Sequence, residues 1–290
     1  MNGASWAGCG ALALWAFLAV LARGAAGLPP LQLTAMGFAV AGLLGMAVVA
    51  ARGRLGALRQ PPLVWAHGVG GLFGYHALYF AALAFAPPVE ANLLNYLCPL
   101  LIVLFSAPLL GLRLGPARLG GVALGFLGCV VLLGRGAGFA AGTWFGLACA
   151  LAAAVVWALY SVLSKRLATV PTDAVAGFCL ASAGLATAAH LALETSVMPD
   201  GRQALAALLL GLGPVGAAFF LWDRGMKAGD PRLLGSLAYS VPVASTLLLV
   251  AAGEAAWEPR LLWAVALVAG GGWLAARAQP PEGAPPANRP

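Results

Sequence analysis

Pro88-Val89-Glu90-Ala91-Asn92-Leu93-Leu94-Asn95-Tyr96-Leu97-Cys98-Pro99 and Pro231-Arg232-Leu233-Leu234-Gly235-Ser236-Leu237-Ala238-Tyr239-Ser240-Val241-Pro242 decide the fold when they are laid side by side. Both open on proline and carry tyrosine three residues before a second proline, at a shift of 143. Outward from them, Pro116 meets Pro259, Val122-Ala123-Leu124 meets Val265-Ala266-Leu267, and Gly128 meets Gly271. At a shift of 142, Trp15-Ala16 meets Trp157-Ala158, Val20-Leu21 meets Val162-Leu163, Arg23 meets Lys165, and Pro29 meets Pro171. Matches among Ala, Leu and Gly come easily by chance; matched Trp, Tyr and Pro at a nearly constant shift do not. The chain reads as a repeated unit.

The composition says what that unit is. The 290 residues are 62% hydrophobic and 9% charged, against about 25% charged in soluble domains. Apolar runs give ten candidate spans, near 5–22, 31–51, 63–86, 89–110, 117–134, 143–164, 173–193, 204–226, 231–252 and 260–278. Each has roughly the 20 residues that a membrane-crossing helix needs. A soluble enzyme, a nucleic-acid module and a single-anchor receptor are excluded. The expected fold is an all-α polytopic membrane protein. Residues 1–135 form one five-helix repeat, 136–278 a second, and the Pro-rich stretch 279–290 a disordered tail. Five is odd, so the second copy must enter the membrane inverted, as in many secondary transporters. Leu12–Ala22 could pass for a signal peptide, but Met1–Ser5 holds no basic residue, and the stretch is kept as the first span.

The net charge of +7 is sided. With the N-terminus cytoplasmic, Arg52, Arg54, Arg59, Arg113, Arg118, Lys165, Arg166, Arg224, Lys227, Arg232, Arg277 and Arg289 share one side. Arg23, Arg135, Arg202 and Arg260 take the other. Such a bias puts both termini in the cytoplasm and accounts for the basic balance without nucleic acid. Cys9, Cys98, Cys129, Cys149 and Cys179 stand in apolar runs without paired short spacing, as small buried hydrophobes do. No phosphate loop or metal-ligand cluster is present, so no cofactor is expected.

Within the spans, Asn92, Asn95, Tyr96 and Pro99 share one helix face. Amides facing lipid are costly, so this face should meet a cavity or another helix. Pro99 cannot donate to the Asn95 carbonyl, and Pro242 likewise frees that of Ala238. Two readings stand: a hinge whose free carbonyls bind an ammonium group, or a plain kink re-satisfied by neighbours. Helix six repeats the pattern with Trp157, Tyr160, Ser161 and Ser164; Trp15 is its counterpart in helix one. Helix three offers His76 and Tyr79, and helix nine Ser236, Tyr239 and Ser240. Rings bearing hydroxyls suit a substrate with an apolar or aromatic side chain and polar ends. Trp6, Trp65, Trp144 and Trp263 stand near span starts, as an interfacial belt would. His76 is either a proton relay or a structural histidine; His67 and His190 carry no assignment. Gly70/Gly74 and Gly121/Gly125 have the spacing of close helix packing.

No acidic or basic residue falls deep in a span; Glu90, Glu194, Glu254, Asp223 and Arg224 lie near helix ends. A carrier of strongly charged solutes keeps a counter-charge in its path. The expected substrate is net neutral, a zwitterionic amino acid included, and coupling through a buried carboxylate is not expected.

Phe73-Gly74-Tyr75-His76-Ala77-Leu78-Tyr79-Phe80 and the stretch from Pro87-Pro88 to Pro99-Leu100 resemble the drug/metabolite transporter superfamily, EamA type. Asn95-Tyr96-Leu97-Cys98-Pro99 is similar to an element of its aromatic amino-acid exporter branch, although members carry tryptophan where Cys98 stands. Gly253-Glu254 with Pro259 resembles the superfamily's glycine–glutamate element; the first half has Gly111-Leu112-Arg113 there and lacks the glutamate. The resemblance spans about 5–278 and implies ten helices, a central cavity and export of amino acids or related metabolites.

The expected protein is thus a transporter in the bacterial inner membrane, monomeric, with a neutral hydrophobic or aromatic amino acid as its partner. Its substrate-binding set is Trp15, His76, Tyr79, Asn92, Asn95, Tyr96, Trp157, Tyr160, Ser161, Tyr239 and Ser240, with Pro99 and Pro242 as hinges. The alternative is a multidrug or quaternary-cation exporter using the same rings. An intramembrane enzyme would need a nucleophile or acid/base set that this sequence lacks, and a passive channel would show no trans-stimulation.

Overall fold

The computed structural model describes residues 2–86, 88–133, 143–254 and 256–277, except the side chains of 88–90, 93, 132–133 and 276–277. The expected tail, Arg135 and the boundary at 135/136 lie outside them, as does Pro87. Among the described residues every regular element is helical. Seven helices are long and apolar enough to cross a membrane: α1 (Gly3–Gly24), α2 (Pro30–Ala51), α3 (Pro62–Phe85), α7 (Trp144–Arg166), α8 (Ala174–Leu193), α9 (Gly201–Ala228) and α10 (Pro231–Ala251). Four shorter helices complete the set: α4 (Pro88–Asn95), α5 (Cys98–Leu110), α6 (Pro116–Leu133) and α11 (Arg260–Arg277). This is a multi-pass membrane protein.

Local chemistry sets the helix ends. Proline opens α2, α3, α4, α6 and α10, where its missing N–H costs nothing. Asp200 and Gln203 form a capping box at the start of α9. Gly111 (φ 66°) ends α5 and Gly253 (φ 74°) follows α10. They stand 142 residues apart, each in the left-handed region that only glycine enters cheaply. Gly111 and Gly253 are therefore helix stops at matched places.

The helix packing can be compared with the 142–143 shift seen in the sequence. α2 lies chiefly on α8, α6 on α11, α1 on α9 and α3 on α7. The 142–143 shift carries α1 to α7 and α3 to α9, so the last two pairings exchange, while the other two map onto themselves. On the α6–α11 seam a Cβ at Gly121 would lie 2.6 Å from the Gly271 carbonyl oxygen; one at Gly128 would lie 3.1 Å from that of Ala264. Those contacts are also exchanged by the shift. Gly121 and Gly125 thus do the close packing expected of them. Gly70 and Gly74 do not, having open space about them; Gly68, under Phe178, and Gly71, under Tyr160, make the close approaches instead.

Polar contacts gather at the two ends. At one, Arg54 pairs with Asp173 (2.9 Å) and Lys165 donates to the Gly229 carbonyl (2.6 Å). At the other, Arg23 pairs with Glu254 (3.0 Å), and Glu194 accepts the Leu31 and Gln32 amides that open α2. Each contact joins connections that the sequence alternation puts on a common side. Of the four tryptophans read as a belt, Trp6, Trp144 and Trp263 are strongly exposed, but Trp65 packs edge-on against Phe178 at 5.3 Å.

The tightest knot at the basic end is Asp230. It caps α10 through the Arg232 amide, takes the Arg232 guanidinium on both oxygens (3.1 and 3.2 Å), and receives Arg118 at 2.9 Å. Burial pushes its carboxyl up, but the Arg232 hydrogen bonds and the Arg118 charge outweigh this and hold it below the usual range. A depressed carboxylate contributes stability above its unfolded pKa near 4, lost as pH falls through its folded value. Asp230→Asn is therefore expected to cost about 2 kcal/mol at neutral pH, less than a fully buried pair because Asp230 is partly exposed. Thermal unfolding in detergent should show the gap between variant and wild type closing in acid; a gap independent of pH would remove the ionic role.

Candidate substrate site

Two helices leave α-geometry at matched places. Gly70–Gly74 in α3 and Gly213–Ala217 in α9 are π-turns, and 143 residues separate them. A π-turn inserts one residue and loosens the carbonyl ladder, which is why such turns gather at functional sites. Here the loosened carbonyls are used. The Trp15 indole N–H donates to Pro214 O at 2.9 Å, and His76 Nδ1 donates to Leu72 O at 2.7 Å. That bond fixes the hydrogen on Nδ1 and leaves Nε2 as an acceptor.

Around these turns the rings form one connected cluster. Trp15 meets Trp157 edge-on at 5.4 Å and Trp222 at 5.1 Å. Trp157 also touches Tyr75 (5.2 Å), Tyr160 (5.4 Å) and Phe219 (6.0 Å). Tyr75 stacks on Tyr79 at 5.9 Å, and His76 stands edge-on to Phe38 at 5.1 Å. The α4 face turns inward, as its amides require. The Tyr79 hydroxyl donates to Asn92 Oδ1 (2.5 Å), and Asn95 Nδ2 donates to the Tyr75 oxygen (3.1 Å). Asn95 Oδ1, also buried, has no hydrogen-bond partner among the described residues. Tyr96, at the end of α4, lies near Tyr75 and Tyr79.

Of the expected residues, Trp15, His76, Tyr79, Asn92, Asn95, Tyr96, Trp157 and Tyr160 thus come together. Ser161 sits behind them, fully buried, accepting the Trp222 indole N–H at 3.0 Å. Tyr239 and Ser240 lie elsewhere. Tyr239 is fully buried beside Phe126 and over Gly125 in a separate core with Val103, Val122 and Val243; Ser240 is exposed on a groove between α10 and α11. Tyr75, Phe38, Phe219 and Trp222 belong to the cluster although the sequence reading passed over them. The repeat could have found two: Phe219 is the counterpart of His76, and Trp222 of Tyr79, at the shift of 143.

The prolines break their helices alike. α4 gives way to α5 across Tyr96–Leu97, and α10 is interrupted at Ala238–Tyr239. The Ala238 carbonyl accepts the Val241 amide at 3.1 Å, so the expected unpaired acceptor is absent from this helix. Pro99, without an N–H, cannot supply the i+4 donor to the Asn95 carbonyl.

One charged pair near a helix end is buried. Asp223 and Lys227 lie near the end of α9, yet both side chains are over nine-tenths buried, paired at 2.7 Å. The helix end is covered by the 167–173 connection, through Thr172 on Asp223 and the Val170 carbonyl on Lys227.

An uncharged, ring-walled site between exchanged helix pairs defines a solute carrier, and the chain belongs to the EamA-like transporter family. The family's model matches it twice, over residues 1–134 and 144–277. The chain is 52% identical over 278 residues to the aromatic amino acid exporter YddG of Ancylobacter novellus, covering 94% of this chain and 97% of that one. Over 169 residues it is 30% identical to a protein of Streptantibioticus cattleyicolor named "probable terminal-alkyne amino-acid exporter", covering 53% and 55% of the two chains. A solved crystal structure at 53% identity superposes with a TM-score of 0.91 over 94% of this chain and 96% of that one.

Proposed function

We propose that this protein exports neutral amino acids with hydrophobic or aromatic side chains across the bacterial inner membrane by alternating access. The observation that carries the reading is one place where ring faces meet an orphaned amide oxygen. The rings of Trp15, Tyr75, Tyr79 and Trp157 suit an aromatic side chain, while the unpartnered Asn95 Oδ1 suits an α-ammonium group. The relative named as an aromatic amino acid exporter, similar over nearly its whole length, supports it.

α4 and α5 count as one span kinked at Pro99, as α10 is one span kinked at Pro242, which gives ten. The double family match, the matched π-turns and the exchanged helix pairs support two five-helix halves, about 1–135 and 136–278, inverted with respect to each other. Both termini lie in the cytoplasm on the arginine-rich side. The halves rock about the breaks at Pro99 and Pro242, and a single chain suffices. Tyr239 supports the second break from outside the site, and Ser240 does not bind substrate.

Purified protein in lipid vesicles loaded with phenylalanine is expected to take up labelled phenylalanine by counterflow, faster than empty vesicles do. Absence of flux with every neutral amino acid tried would overturn the reading. Flux of quaternary aromatic cations without amino-acid competition would favour a drug exporter instead.

A further inference from the structure

A second polar site lies beside the aromatic cluster, toward the arginine-rich end. Val64, His67, Tyr160, Ser164, Leu167, Val170, Phe178, Asp223 and Lys227 enclose a chamber of about 10 Å³, room for one water molecule. Polar groups converge on it. The Tyr160 hydroxyl, on a residue 3% exposed, has no partner among the described residues. The Tyr160 ring stacks on His67 at 5.0 Å on this side and touches Trp157 on the other. Ser164 donates to the Tyr160 carbonyl (2.8 Å), so His67 Nε2 must be the donor to Ser164 Oγ (3.2 Å). Thr172 (2.7 Å) and Lys227 (2.7 Å) both bond Asp223 through Oδ2, and Lys227 also holds the Val170 carbonyl at 2.9 Å. Asp223 Oδ1 takes none of these bonds. α9 is thereby latched to the 167–173 connection.

We propose that this chamber binds one water molecule between the Tyr160 hydroxyl and Asp223 Oδ1, and that Asp223 is the proton-binding site that couples export to a proton. The inference rests on the amino-acid export reading above. A buried acid in a transporter is a natural place for a proton to bind. This one shares its chamber with Tyr160, whose ring belongs to the cluster. A hydronium ion from the aqueous phase gives its proton to Asp223 Oδ1; an O–H bond forms there, a neutral water is left, and the pair goes from net zero to +1. Lys227 is then a buried ammonium without a counter-charge, which is strongly unfavourable. Wetting and opening this end relieves it, and loss of the proton to the aqueous phase restores the latch. The titratable or charged groups about the site are Lys227 on α9, His67 on α3, Tyr160 on α7 and, beyond Tyr160, Cys179 on α8.

The test compares two readouts in vesicles carrying a pH dye: labelled phenylalanine counterflow, which needs no net proton movement, and the pH change driven by a phenylalanine gradient. The wild type should show both. Asp223→Asn/Lys227→Met, which removes both charges, should keep counterflow and lose the pH change. Asp223→Asn alone leaves Lys227 unpaired as protonation does, so it should hold this end open and lose counterflow as well; wild-type counterflow in that variant would overturn the latch. Counterflow without a pH change in the wild type overturns this proposal alone, as does a full pH change in either variant. No counterflow in the wild type overturns the export reading and this proposal with it.

Discussion

Gly271→Leu should yield no monodisperse protein on size-exclusion chromatography in detergent. The reason is backbone against backbone. A Cβ at position 271 would lie 2.5 Å from the Gly121 carbonyl oxygen and 3.0 Å from the Gly125 amide nitrogen. Overpacking a core costs about 1–3 kcal/mol where side chains can shift; main chain on the facing helix cannot. α6 and α11 would have to separate along their seam, where close approach supplies most of the attraction between membrane helices. The loss then approaches the whole of a stability that is only about 5–15 kcal/mol. Gly271→Ala should survive with a lowered unfolding temperature. Gly270→Leu is the control, since Gly270 is exposed with nothing within 4 Å, and it should elute like the wild type. Equal elution profiles for the leucine variants at 270 and 271 would mean that the seam does not hold the helices.

The all-helical, membrane-spanning class was legible in the sequence, because hydropathy marks apolar helices whatever their partners. The seam itself is also foreshadowed, since its contacts join positions related by the matched shift. The sequence could not show that helix three carries a π-turn. Its glycines looked like packing residues, but Gly70 and Gly74 sit in the turn itself, and which glycine meets a neighbour depends on the extra residue inserted there. The site was legible by half for a related reason. Asn92, Asn95 and Tyr96 were placed by helical spacing and come out facing the cluster. Tyr239 occupies the matched position in the second half, yet it packs against Phe126 in another core. A repeat preserves backbone better than environment: the first half has Asn95 where the second has Ala238, and Asn92 where it has Gly235. The burial of Asp223 and Lys227 was not legible, because burial near a helix end depends on the connection folded over it, and hydropathy does not report that.

The same inequality between matched positions singles out Trp157. Trp15 spends its indole N–H on the Pro214 carbonyl. Among the described residues the Trp157 N–H has no such acceptor, so it stays available to a substrate carboxylate, while the ring touches Trp15, Tyr75, Tyr160, Phe219 and Trp222. Trp157→Ala should therefore lower counterflow of tryptophan and phenylalanine about tenfold relative to that of leucine. That ratio corresponds to about 1.4 kcal/mol, the upper range of one aromatic pair. Truncating a buried tryptophan also costs about 3–5 kcal/mol of stability, so the comparison must be a ratio of substrates within one preparation. Trp157→Phe separates the two contributions of the side chain. It keeps a ring and should keep the aromatic preference, but it loses the donor, so the apparent affinity for all amino acids should fall together. If the alanine variant transports tryptophan, phenylalanine and leucine in the wild-type proportions, Trp157 does not touch the substrate, and the aromatic cluster is a packed core behind a site located elsewhere.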